Sequence, residues 1–60
     1  MNSYSYDIVT KNKDGEIKFT NDCKVYAKHI FEAEKTIIEN LEKDPRLLRF
    51  EVLKITPITN

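Results

Sequence analysis

Large apolar side chains alternate with polar ones at the start of the chain. Tyr4, Tyr6 and Ile8 are separated by Ser5 and Asp7, a period of two that predicts a half-buried strand over Ser3 to Thr10. Lys11-Asn12-Lys13-Asp14-Gly15 follows, and Asp-Gly is a strong hairpin signal because both positions tolerate positive φ. Alternation resumes with Ile17 and Phe19 around Lys18. A two-residue loop at Asp14-Gly15 would pair Lys13 with Glu16, Thr10 with Phe19, Tyr6 with Cys23 and Tyr4 with Val25. It would gather Tyr4, Tyr6, Ile8, Ile17, Phe19, Cys23 and Val25 on one face. A three-residue loop would bring Lys18 and Lys24 beside Tyr4 and Tyr6, and an unpaired buried charge is costly, so the two-residue loop is expected. Asn21-Asp22 are poor strand formers, and a bulge or bend there would reset the parity beyond it.

From His29 or Ile30 to about Lys43 the period changes. Ile30, Ala33, Ile37, Ile38 and Leu41 fall on one arc at 100° per residue, with Phe31 at its margin and Glu32, Lys35, Thr36, Glu39 and Lys43 opposite. Asp44-Pro45 closes this amphipathic helix, because the residue before proline is pushed out of the α region. Glu39 and Lys43 stand at the favourable i, i+4 spacing for an ion pair. Arg46 to Thr56 reads as a last strand with a broken alternation. Phe50 and Val52 share one parity, and Leu53 and Ile55 share the other. Either a bulge intervenes or both faces are covered. Pro57 ends that strand or places it at an edge.

The order strand, strand, helix, strand predicts an α+β fold. It is a small two-layer ββαβ domain whose three-stranded antiparallel sheet has the order 2-1-3, with one helix packed on one face. The architecture resembles half of a ferredoxin-like fold, a likeness of layout that implies no activity. Residues 1–60 form a single domain, since the chain has only 60 residues and no linker or repeat.

Composition narrows the classes further. Lysine and arginine number 10, as do aspartate and glutamate, so the formal net charge is zero. That balance argues against an electrostatic nucleic-acid binder. It conceals an acidic helical segment, residues 29–45, with two lysines against five acids. No apolar run approaches the roughly 20 residues that span a bilayer. The first residues, Met1 to Asp7, have no basic region followed by an apolar run, so a cytoplasmic protein is expected. Ile, Lys, Asn, Tyr and Phe supply 26 residues, whereas Gly, Ala, Arg and Pro supply 7, the usage of an AT-rich bacterial or phage gene.

Candidate chemistry is sparse. A single glycine excludes phosphate-binding loops and nucleophile elbows. Cys23 and His29 offer two metal ligands where zinc takes four, and a lone cysteine forms no internal disulfide. No cofactor, metal, small-molecule substrate or catalytic group is expected. Glu34 lies inside the apolar arc, either as a buried acid or as a carboxylate that turns outward. His29 stands at the strand-to-helix junction, where it either caps or titrates, and a lone histidine without a partner acid or nucleophile reads as structural; Cys23 is expected inside the core. Tyr4, Tyr6, Tyr26 and Phe19 suggest base stacking, but the expected register puts Tyr4, Tyr6 and Phe19 beneath the helix.

A small domain has little core, and disulfides and metals are not available to add to it, which leaves association. The apolar surplus on the last strand, Leu53, Ile55 and Ile58, is the candidate interface. The expected function is a homodimeric protein-interaction or accessory module of phage or prophage style. The alternative is a small nucleic-acid-binding regulatory protein using Lys18, Lys24, Arg46 and Arg49 on phosphates.

Overall fold

A computed structural model describes residues 1–58. β1 (Asn2–Asn12), β2 (Ile17–Ala27), α1 (Ile30–Glu42) and β3 (Leu47–Pro57) follow in that order. The sheet order is β2-β1-β3, with both neighbours antiparallel to β1. This is the two-layer α+β arrangement that the alternation predicts.

The hairpin departs from expectation in an instructive way. Near the turn Val9 pairs with Phe19, Thr10 with Lys18 and Lys11 with Ile17. The loop therefore has three residues, Lys13 to Gly15. Asn12 decides this. Its side-chain oxygen accepts hydrogen bonds from the backbone N–H groups of Asp14 (3.0 Å) and Glu16 (2.9 Å). The Gly15 N–H donates to the Asn12 carbonyl at 3.0 Å, and Gly15 sits at φ 89°, where glycine carries no Cβ penalty. The extra loop residue is then cancelled. β2 bulges between Thr20 and Cys23, so that Tyr6 still pairs with Cys23 and Tyr4 with Val25. Asp22 takes φ 57° there, and its N–H donates to Asp7 Oδ1 at 3.0 Å. The charge argument against an odd loop fails because Lys18 lies beyond the reach of the helix and stays exposed, while Lys24 is on the open face.

β3 resolves its broken parity by the same device. Ile8 pairs with Val52 and Asp7 with Lys54, which leaves Leu53 as the extra residue of a bulge. A second shift, between Lys11 and Asn12, leaves out Leu48. Phe50, Val52 and Ile55 therefore all face the helix side. Bulges in both outer strands stand level with Asp7 and Ile8 of β1, where they raise the local twist.

α1 begins as expected. His29 is its N-cap, with Nδ1 accepting from the Glu32 N–H at 3.2 Å, and Glu32 Oε1 accepts from the Lys28 N–H at 3.4 Å. Its buried stripe is narrower than the arc predicts. Ala33 and Ile37 are 0% and 1% exposed, and Leu41 packs at the edge of the core, but Phe31 is 79% exposed. Glu39 pairs with Lys35 at 4.0 Å on the preceding turn, rather than with Lys43. Tyr4, Val25 and Ala27 of the sheet meet Ala33 and Ile37, with Tyr6, Val52 and Ile55 packed around them.

Lengths explain where this core stops. Strands of 11 residues run about 36 Å, whereas a helix of 13 residues runs about 20 Å. The molecule measures 39 × 18 × 11 Å between Cα extremes. α1 covers one end of its face of the sheet and leaves the turn end bare.

Candidate interaction surfaces

The bulge at Leu53 and the start of α1 together form a groove. A shallow cavity of about 290 Å³ is lined by Ile30, Phe31 and Glu34 of the helix and by Val52 to Ile55 of β3. Its walls differ in origin. Ile55 belongs to the fringe of the core, whereas Leu53 was left unpaired by the bulge and is 50% exposed. Phe31 stands edge-on to the His29 ring, with centroids 6.4 Å apart, so the capping residue also holds an aromatic wall of the groove.

The three expected interface residues are thus distributed. Leu53 and Ile55 meet in the groove. Ile58 lies beyond β3, where its N–H donates to the Ser3 carbonyl at 2.9 Å and its side chain is 36% exposed. Ile30 and Phe31 are the groove residues that sequence reasoning assigned to the helix stripe. The only signal for Phe31 was its marginal position on that arc.

A second apolar surface lies on the open face, away from α1. Val9, Ile17 and Phe19 cluster there because the three-residue loop turns Ile17 and Phe19 outward, to 62% and 69% exposure. This corrects the expectation that both sit beneath the helix. Lys11, Arg49 and Glu51 rim the cluster. Further along the same face stand Tyr26, opposite Ser3, and Lys24, opposite Ser5. Lys54 lies opposite Asp7 and Thr56 opposite Ser5 on the other flank.

The remaining candidates resolve into structural roles. Glu34 is exposed on the groove wall. Cys23 is half-buried opposite Tyr6, rather than fully inside. Burial, together with the neighbouring thiol, pushes the Tyr6 phenol above its ordinary value. Of the four expected phosphate-binding cations, Lys24 and Arg49 share the open face, and Lys18 lies on the bare helix-side end. Arg46 is engaged elsewhere. Its Nε and Nη2 donate to Asp44 Oδ1 and Oδ2 at 3.0 and 2.9 Å, a fork that holds the Asp44 carboxyl at about 2.

Among the described residues, no group of three or more His, Cys, Asp or Glu is placed to hold a metal ion. No described helix is long and apolar enough to cross a membrane. No known protein family, curated protein or solved structure matches this chain.

Proposed function

We propose that the chain is a small protein-interaction module that works as a homodimer, an accessory protein of a bacterial or phage cytoplasm with no catalytic role. One observation carries this reading, the mismatch between the surface of the chain and its mass. The accessible surface is 4750 Å², whereas a compact monomer of 7.1 kDa exposes about 4,100 Å². The Cα radius of gyration, 11.9 Å, exceeds the roughly 10.4 Å of a compact 60-residue domain. The excess surface approaches the ~800 Å² that each partner buries in a standard interface.

Its chemistry is apolar. Among the described residues, nine large hydrophobic side chains are exposed, more than the six that form the core. Four residues converge in the groove of Ile30, Phe31, Leu53 and Ile55, and a two-fold axis beside it would set each groove against its own copy. Ile58 stands outside this groove, its N–H bonded to the Ser3 carbonyl. Light scattering on the purified chain tests the reading. A dimer gives twice 7.1 kDa, and Leu53→Asp should return it to monomer without lowering the melting temperature of the monomer. A 7.1 kDa particle at millimolar concentration would overturn it.

A further inference from the structure

β3 is an edge of the sheet, and it borders the groove. Between its two bulges, Arg49 to Val52 run level with Lys11 to Ile8 of β1 without a break. The hydrogen bonds of β1 alternate between its neighbours. The Asn12 N–H donates to the Glu16 carbonyl, towards β2. The Lys13 N–H donates to the Arg46 carbonyl, and the Ser3 carbonyl accepts from the Ile58 N–H, both towards β3. Odd positions of β1 therefore bond to β3, so Val9 and Lys11 hold Glu51 and Arg49. Phe50 lies between those pairs, opposite Thr10, and its N–H and carbonyl turn away from the sheet. The same alternation turns out the backbone of Val52, opposite Ile8. An unpaired edge of this kind is a template for another strand.

Charge says which strand. Arg49 stands opposite Lys11 across the β1–β3 pair, two like charges side by side. Among the described residues, Lys35–Glu39 and Asp44–Arg46 are the ion pairs, so Lys11, Arg49 and Glu51 have none. Consider a second β3 running antiparallel along this edge, with Phe50 on the two-fold axis. Arg49 then falls opposite the partner's Glu51, and Glu51 opposite the partner's Arg49. Each new pair puts a carboxylate on the free side of a Lys11–Arg49 contact. Sliding the second strand by two positions sets Glu51 against the partner's Glu51 in one direction, and Arg49 against the partner's Arg49 in the other. Backbone bonding forbids a slide of one position, because it would pair an outward-turned residue with an inward-turned one.

The bulges agree with this register. Leu48 and Leu53, the residues that they leave out, are 59% and 50% exposed and flank the regular segment on either side. The two-fold axis at Phe50 brings Leu48 beside the partner's Val52 and the partner's Leu53, at the mouth of the partner's groove. Each copy thus offers an apolar side chain to the groove of the other.

We propose that two copies of this chain join edge to edge, β3 against β3 about a two-fold axis at Phe50. This rests on the homodimer reading and supplies its geometry. The product is one six-stranded antiparallel sheet of order β2-β1-β3-β3-β1-β2, with both helices on the same face.

Charge reversal tests the pairing, with light scattering across a dilution series. Arg49→Glu and Glu51→Arg should each weaken the dimer roughly tenfold or more, since each turns two attractive cross-strand pairs repulsive. The double variant, Arg49→Glu with Glu51→Arg, rebuilds both pairs in reverse and should recover the dimer. Both side chains are exposed, so all three variants should keep the circular dichroism of the parent. Amide exchange reads the backbone. The Phe50 N–H should be protected in the dimer and exchange freely on dilution to monomer.

Single variants that dimerise like the parent would overturn the edge pairing and leave the homodimer reading standing. So would a double variant no tighter than the singles, or a Phe50 N–H that exchanges as fast in the dimer as in the monomer. A parent that stays monomeric would overturn both.

Discussion

At the end of the sheet beneath α1, Tyr4, Val25 and Ala27 are 5%, 9% and 0% exposed, whereas at the turn end Ile17 and Phe19 are 62% and 69% exposed. The two ends share the same three strands and similar apolar residue types. They differ in which face their apolar side chains take and in what lies over that face. The three-residue loop turns Ile17 and Phe19 to the side without a helix, while on the other side a 13-residue helix reaches about 20 Å along a sheet of about 36 Å. Burial here is set by register and by the reach of the covering element rather than by the hydrophobicity of the strand. The covered end supplies the stability, and the uncovered end is free to present side chains to other molecules.

The strongest way to break this comparison is to truncate a side chain at each end. Ile37→Ala removes a 1%-exposed side chain and should cost about 2–5 kcal/mol, enough to unfold much of so small a domain. Phe19→Ala should change stability by less than about 0.5 kcal/mol. Chemical denaturation followed by circular dichroism reads both, and equal losses would mean that the turn end is part of the core. The boundary between the ends comes next. Asp22 holds φ 57°, and a β-branched residue is strained there, so Asp22→Val should cost about 1–2 kcal/mol. A Val variant as stable as the parent would show that the bulge had moved. The smallest effect lies at the Asp44–Arg46 fork. Asp44 titrates at about 2 when folded, below its ordinary value of 3.8. Its contribution is full above 3.8 and is lost as the pH falls through about 2. Both groups are solvated, so Arg46→Gln should move the Asp44 carboxyl back towards 3.8 by NMR titration while leaving the melting temperature nearly unchanged.

The elements and their order were legible because they rest on local periodicity, and the sheet order because connection rules leave few ways to join a strand, strand, helix and strand. The helix cap at His29 was legible too, from position alone. Register near the turn was not. Asp14-Gly15 suits a two-residue loop and the end of a three-residue one equally well, and the choice depends on whether Asn12 folds its side chain over the turn. The distal pairings of Tyr4 and Tyr6 came out right because loop and bulge each add one residue and the two offsets cancel. The β3 bulge was legible as one of two options, through the parity clash of Val52 and Leu53. The groove was half legible. Leu53 and Ile55 stand in the parity pattern, but the share of Ile30 and Phe31 depends on how far the helix stripe turns into the sheet. The open-face aromatics were missed because their exposure follows from the loop length.

The bulges have a consequence for how this gene can change. A strand normally tolerates no change of length, since one residue more or less moves every later side chain to the wrong face. Here deletion of Asn21 would leave Thr20 opposite Ile8, Asp22 opposite Asp7 and Cys23 opposite Tyr6. Loss of Leu48 or Leu53 would likewise leave their neighbours with their present partners. These are the places where a codon can be lost without altering the topology. Two of the three are exposed leucines, so a lineage could discard those side chains outright and keep the fold.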